Sequence, residues 1–162
     1  IPMDLEGPNY IYVDEKDFVD DPYVIYLRNE LGENLKSITG TAQYEVNKLS
    51  AELGNADVEL VRKELGTEFD MIVHEPDGIL EIGQAGHSKA SGIERLCESL
   101  GIAKEDTYAF GDSANDVEML EFVAHGIAMG NGTDVAKNAA EFVTTDIHKD
   151  GIWNGLKHYG LI

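Results

Sequence analysis

Basic residues and cysteine are scarce in this 162-residue sequence, and each shortage excludes something. Lysine and arginine number 12 against 31 aspartates and glutamates, for a formal charge of -19 at pH 7. A surface that negative repels phosphate backbones and anionic bilayers, so neither nucleic acid nor a membrane is an expected partner. The only cysteine, Cys97, leaves no intrachain disulfide framework. No secretory leader pattern and no long apolar span can be read, which makes the cytoplasm the expected setting. A glycine-rich P-loop and a dinucleotide fingerprint are also missing, which weakens any reading as a nucleotide-binding α/β domain. The chain opens on Ile1 and Pro2 rather than on an initiator methionine, which suggests a fragment, a processed form or an incomplete sequence.

What is present suits one domain or two small ones, since 43% of the residues are hydrophobic, enough to form a core. Tyr10 to Val13 reads as a short strand, and Asp14 to Asp21 as an acidic connector. Asp21-Pro22 is a helix start, with Val24, Leu27 and Leu31 on one face and Gly32 as the stop. Between Thr41 and Leu53 two readings stay open. Val46, Leu49 and Leu53 have helical spacing, yet the segment has little other apolar support. Asn55 is placed to cap a helix carrying Val58, Val61 and Leu65 and ending at Gly66. Met71 to Val73 and Ile79 to Ile82 then pair as a hairpin about Pro76, Asp77 and Gly78.

Beyond Gly83 to His87 the texture changes to regular alternation of helix and strand. A helix from Ser88 carries Ile93, Leu96, Cys97 and Leu100 on one face, expected to be core, and stops at Gly101. There follow a strand at Tyr108 to Phe110, a helix from Asn115, a strand at Gly126 to Met129, and a helix from Thr133 to Ala140. A strand at Phe142 to Thr144 and a helix from Asp150 to Tyr159 complete the series. That order predicts an α/β fold with a parallel, doubly wound sheet. A domain boundary falls near Gly83 to Gly86, dividing a mixed α+β module (1–83) from the α/β part (84–162).

Asp112 and Asp116 follow the strand at Tyr108 in the stretch TYAFGDSANDVEML. In open α/β sheets, ligands bind just beyond the carboxyl ends of the strands. Two acids there suit a hard cation, although aspartate also caps helices, so the pair alone has two readings. Lys89 is the third element. It sits in the first turn of a helix, where the dipole disfavours a cation, so something outside its own helix selects it. A lysine and paired carboxylates around one pocket make a site for a phosphate and Mg²⁺.

HSKASGIERL, AFGDSANDVEML and GIAMGNGTDVAKNAAEFVT together resemble the C-terminal half of a haloacid dehalogenase-like (HAD) phosphatase of the Cof subfamily. Residues 1 to 82 resemble that family's C2-type cap more loosely, mainly through DMIVHEPDGILEIGQAGHSK. The resemblance implies a Rossmann-like core, here incomplete, with an α+β cap, and it would put a strand near Val46. It implies that Lys89 neutralises the transferring phosphoryl group, that Asp112 binds Mg²⁺, and that Asp116 binds it directly or through water. Ser113 and Asn115 would position phosphate or metal-bound water, and Asn131 would lie at the pocket rim. The implied activity is Mg²⁺-dependent hydrolysis of a small phosphorylated metabolite.

The family's nucleophile is the first aspartate of a DxDGT motif after the first core strand, and no such motif occurs here. The nearest string, Asp4-Leu5-Glu6-Gly7, has Glu for the second aspartate, Pro8 for threonine, and almost no chain before it to make a strand. Without the family's N-terminal segment, the strand at Tyr108 is expected to show an unpaired apolar edge. A separate N-terminal fragment of the same protein is therefore an expected partner. The alternative is a non-catalytic metal- or phosphate-binding fragment, or a pseudoenzyme. The five histidines show no metal-ligand spacing, and only His87, beside Lys89, belongs on a pocket list.

Overall fold

The computed structural model of the protein describes residues 2–40, 43–54, 57–74 and 78–162. The chain falls into two compact units, Ile1–Ala85 and Gly86–Ile162.

The first unit is built on a six-stranded sheet in the order β3-β2-β1-β4-β6-β5. Its strands are β1 (Met3–Glu6), β2 (Ile11–Val13), β3 (Leu35–Ser37), β4 (Lys48–Glu52), β5 (Phe69–His74) and β6 (Ile79–Gln84). β1 lies between β2 and β4 and pairs with both, so a segment that looks too close to the start of the chain for a strand is internal to the sheet. The open question over Thr41 to Leu53 is settled as strand β4. Leu49 stands opposite Leu5 and Ile82, and Ala51 opposite Met3 and Leu80, so the apolar residues share one face of the sheet. Val46 and Leu53, which made the spacing look helical, both fall outside the strand. β3 is also new, pairing in parallel with β2.

The helices of this unit are α1 (Glu15–Phe18), α2 (Pro22–Leu31) and α3 (Val58–Leu65). The acidic connector thus contains a short helix, begun by Asp14, whose side chain accepts from the Lys16 N–H. α2 starts as expected, with the Asp21 carboxylate accepting from the Tyr23 N–H, and it buries Val24 and Leu27. α3 is capped by Asp57, whose carboxylate accepts from the N–H groups of Glu59 and Leu60. Asn55, the expected cap, lies outside the described residues, as do Pro76 and Asp77 of the turn. The hairpin itself forms, with Met71 opposite Ile82 and Val73 opposite Leu80.

The other face of this sheet is mixed, with Val13 opposite Asp4 and Ile79 opposite Glu52 among polar residues. Lys48 donates to Glu81 at 2.8 Å and lies 3.0 Å from Glu6, and Ser50 donates to Glu6 at 2.7 Å. Asp4, on the same face, is 2% exposed and accepts from the Tyr23 hydroxyl at 2.6 Å, which places the start of α2 over it.

The second unit carries a parallel three-stranded sheet in the order β7-β8-β9, the predicted arrangement. Its elements are α4 (Lys89–Leu100), β7 (Tyr108–Gly111), α5 (Val117–Phe122), β8 (His125–Ala128), α6 (Asp134–Ala139), β9 (Phe142–Val143) and α7 (Gly151–His158). Ala109, Leu120, Val123, Ile127, Ala128, Met129 and Ala136 form its core. α4 corrects the sequence reading: Leu96 and Leu100 are 56% and 62% exposed, and Cys97 is only half-buried. The helix lies beside α5, and part of its apolar stripe stays exposed. β7 is an edge strand, bonded to β8 on one side and, among the described residues, to no strand on the other.

Candidate active site

The site is assembled where β7 ends. After Gly111 the chain turns through Asp112 and Ser113 into a single 3-10 turn, Ala114–Asp116, that leads directly into α5. This departs slightly from the expected helix start at Asn115. The Asp116 carboxylate closes the turn, its Oδ2 accepting from the N–H of Asp112 at 2.9 Å and of Ser113 at 3.2 Å. The Asp116 N–H in turn donates to the Ser113 carbonyl at 3.1 Å, so the two ends of the turn are bonded in both directions.

Gly111 is required by this closure. A Cβ there would lie 2.6 Å from the Asp116 Cβ, so any side chain would push the carboxylate out of the turn. Gly132 works similarly on the neighbouring loop, where a Cβ would meet the Asp112 backbone at 3.0 Å. The Thr133 N–H reaches the Asp112 carbonyl at 2.8 Å, tying that loop to the turn. Sequence reading missed Gly111, Gly132 and Thr133 as site builders, although all three stand within the motifs that carry the family resemblance.

Lys89 arrives from the first turn of α4. Its Nζ donates to Asp116 Oδ1 at 2.5 Å and to Asn115 Oδ1 at 3.4 Å. Asn115 Oδ1 also accepts from the Ser113 hydroxyl at 2.7 Å. With its carbonyl so engaged, Asn115 presents its amide N–H groups as donors. Burial pushes the Asp116 carboxyl up, but the hydrogen bonds from Lys89 and from the Asp112 and Ser113 N–H groups outweigh it. The result lies below the usual carboxylate range. Asp112 differs: it is exposed, and the hydrogen bonds around it are made by its backbone.

Four of the predicted residues, Lys89, Ser113, Asn115 and Asp116, are therefore joined by direct hydrogen bonds, with Asp112 in the same turn. Asn131 is engaged elsewhere, its Oδ1 accepting from the Ile147 N–H at 2.9 Å. Among the described residues no group of three or more His, Cys, Asp or Glu side chains is arranged to hold a metal ion. Mg²⁺ asks for less, since it binds through one or two carboxylates and keeps several waters, so the open Asp112 carboxylate fits it. Asp4 belongs to β1 of the first unit, so the string Asp4-Leu5-Glu6-Gly7 lies in an antiparallel sheet.

A family model described as haloacid dehalogenase-like hydrolase matches residues 3–156. The chain belongs to this family. Among curated HAD relatives, the 5-amino-6-(5-phospho-D-ribitylamino)uracil phosphatase YitU of Bacillus subtilis is 36% identical over 138 residues, which are 82% of this chain and 47% of that protein. A crystal structure of a protein from Geobacillus kaustophilus matches at 33% identity with a TM-score of 0.76, covering 99% of this chain and 62% of its own. A solved HAD subclass IIB sugar phosphatase matches at 25% identity with a TM-score of 0.80, covering 99% and 61%. The chain thus spans about half of that curated HAD relative and about three fifths of these solved ones.

Proposed function

We propose that this chain forms part of a Mg²⁺-dependent phosphomonoester hydrolase acting on a small phosphorylated metabolite, such as a sugar phosphate or a flavin-type compound. The observation that carries the reading is the convergence of Lys89, Asn115 and the Asp112–Asp116 turn at the carboxyl end of a parallel strand. HAD membership supports it, as do the phosphatase names of the relatives.

In this reading Asp112 holds the metal, which when bound would draw charge from the phosphoryl oxygens. Lys89 offsets negative charge on the transferring group, and the Asn115 amide donates to a phosphate oxygen that Ser113 helps to orient. The attacking aspartate is supplied from outside these 162 residues, on a segment that pairs along the free edge of β7. The exposed Leu96 and Leu100 support a covering segment over α4 as well. The first unit serves as the cap that excludes water and selects the substrate.

The test compares this chain with a version extended through the upstream reading frame. The extended protein is expected to hydrolyse an aryl phosphate with Mg²⁺, and Asp112→Ala to lower turnover by about a hundredfold or more. Unchanged turnover in that variant overturns the assignment. A second reading, a non-catalytic metal- or phosphate-binding protein, is favoured by the setting of Asp4, the nearest nucleophile candidate, which is buried in an antiparallel sheet and bonded to the Tyr23 hydroxyl. Mg²⁺ binding without turnover in both forms establishes it.

A further inference from the structure

Between α2 and the sheet of the first unit lies a cleft of about 530 Å³, walled by Tyr23, Tyr26 and Leu27 of α2, Ser50 and Glu52 of β4, and Ile79 of β6. Its hydrogen-bonding capacity is one-sided. Tyr23 donates its hydroxyl proton to Asp4 and Ser50 donates its own to Glu6, so each keeps only lone pairs for a further partner. Glu52 is exposed, and its carboxylate makes no hydrogen bond or ion pair among the described residues. No described Lys, Arg or His lines the cleft. Lys48, on the same face of the sheet, is already held by Glu6 at 3.0 Å and Glu81 at 2.8 Å. The local field is negative as well: burial, the bond to Asp4, and the charges of Asp4, Glu6 and Glu52 all push the Tyr23 hydroxyl up.

Acceptors and aromatic rings without a cation repel phosphate and carboxylate groups and suit their opposite. We infer that this cleft binds an organic ammonium group carried on an apolar body, as in an arylalkylamine. The ammonium donates to the Glu52 carboxylate and lies against the ring of Tyr26, which is 58% exposed, while the apolar body covers Leu27 and Ile79. The site lies wholly within the first unit and stands independently of the proposed hydrolysis.

The test titrates phenethylammonium into the full chain at pH 7.5 and follows the backbone amide resonances by NMR. Salt at about 0.15 M screens the general attraction of a cation to so negative a surface. Saturable shifts are expected at Tyr26, Leu27, Ser50 and Ile79, and phenethyl alcohol, of the same shape but uncharged, should bind about fivefold more weakly or worse. Glu52→Gln is expected to weaken the amine about threefold while leaving the alcohol unchanged, whereas Glu98→Gln, the same loss of charge on α4, leaves both unchanged. Equal binding of amine and alcohol overturns the ammonium site. So does an equal amine affinity in Glu52→Gln and Glu98→Gln, or the absence of saturable shifts at those four residues. Should Glu52→Gln fail to fold, the comparison of amine with alcohol on the wild-type chain decides.

Discussion

Asp4 and Asp116 are the same side chain in two buried settings, 2% and 4% exposed, with opposite consequences. Asp4 has one hydroxyl donor, Tyr23, and burial dominates, pushing its carboxyl up from 3.8 to about 6. Asp116 has an ammonium and two N–H donors and moves down. For Asp4 the proton is held more tightly in the folded state, so its contribution to stability is complete below pH 3.8 and is lost as pH rises through about 6. For Asp116 the contribution is present above its unfolded value and lost as pH falls through the lower folded one. Asp4→Asn keeps an acceptor for Tyr23 without the charge. It is expected to stabilise the protein at pH 7.5 by about 1–3 kcal/mol, with the gain vanishing towards pH 4. Urea unfolding across that range checks it, and a gain independent of pH would rule out titration of Asp4 as its origin.

At the level of elements, local chemistry and tertiary pairing divide the outcomes between them. Asp57 at the start of α3 is a purely local device, since its carboxylate accepts from two N–H groups of its own first turn. Asp57→Ala should cost about 1 kcal/mol in thermal unfolding. Gly111 is the opposite case, because its lack of a side chain serves a carboxylate on another part of the turn. Gly111→Ala is expected to cost about 1–3 kcal/mol through overpacking, and to raise Lys89 reactivity by displacing Asp116. If the alanine variant melts with the wild type, the close approach at Gly111 has no energetic weight. β4 shows why the helical spacing of Val46, Leu49 and Leu53 misled: three apolar residues in register with nothing on the neighbouring strands are only a local pattern. Leu5, Ile82, Met3 and Leu80 on the flanking strands are what make Leu49 and Ala51 a face.

For the molecule as a whole, the dominant feature is the charge of -19. Exposed ion pairs such as Arg62 with Glu59 add little against such self-repulsion. Salt should therefore stabilise the protein. Raising sodium chloride from about 0.01 M to about 0.5 M shortens the screening length from roughly 30 Å to a few ångströms, and the melting temperature is expected to climb by several degrees. Calorimetry across that series checks it, and a melting temperature that falls with salt would show that specific ion pairs outweigh the repulsion. Among the described residues, no helix is long and apolar enough to cross a membrane.

The sequence by itself determined the alternating α/β order of the second unit and singled out the candidate residues around TYAFGDSANDVEML, which the structure brings into one turn. Both are written in short-range patterns: apolar runs broken by Gly and Asp, and polar residues at turn positions. Only the tertiary structure decided that β1 is an internal strand, that α4 leaves part of its apolar stripe uncovered, and that Asp116 is bound to Lys89 while Asp112 stays open. Those outcomes depend on which distant residue stands opposite, and a carboxylate's role follows from the donors that reach it rather than from its place in a motif. The 26 residues between Lys89 and Asp116 carry no local signal of the 2.5 Å contact that joins them.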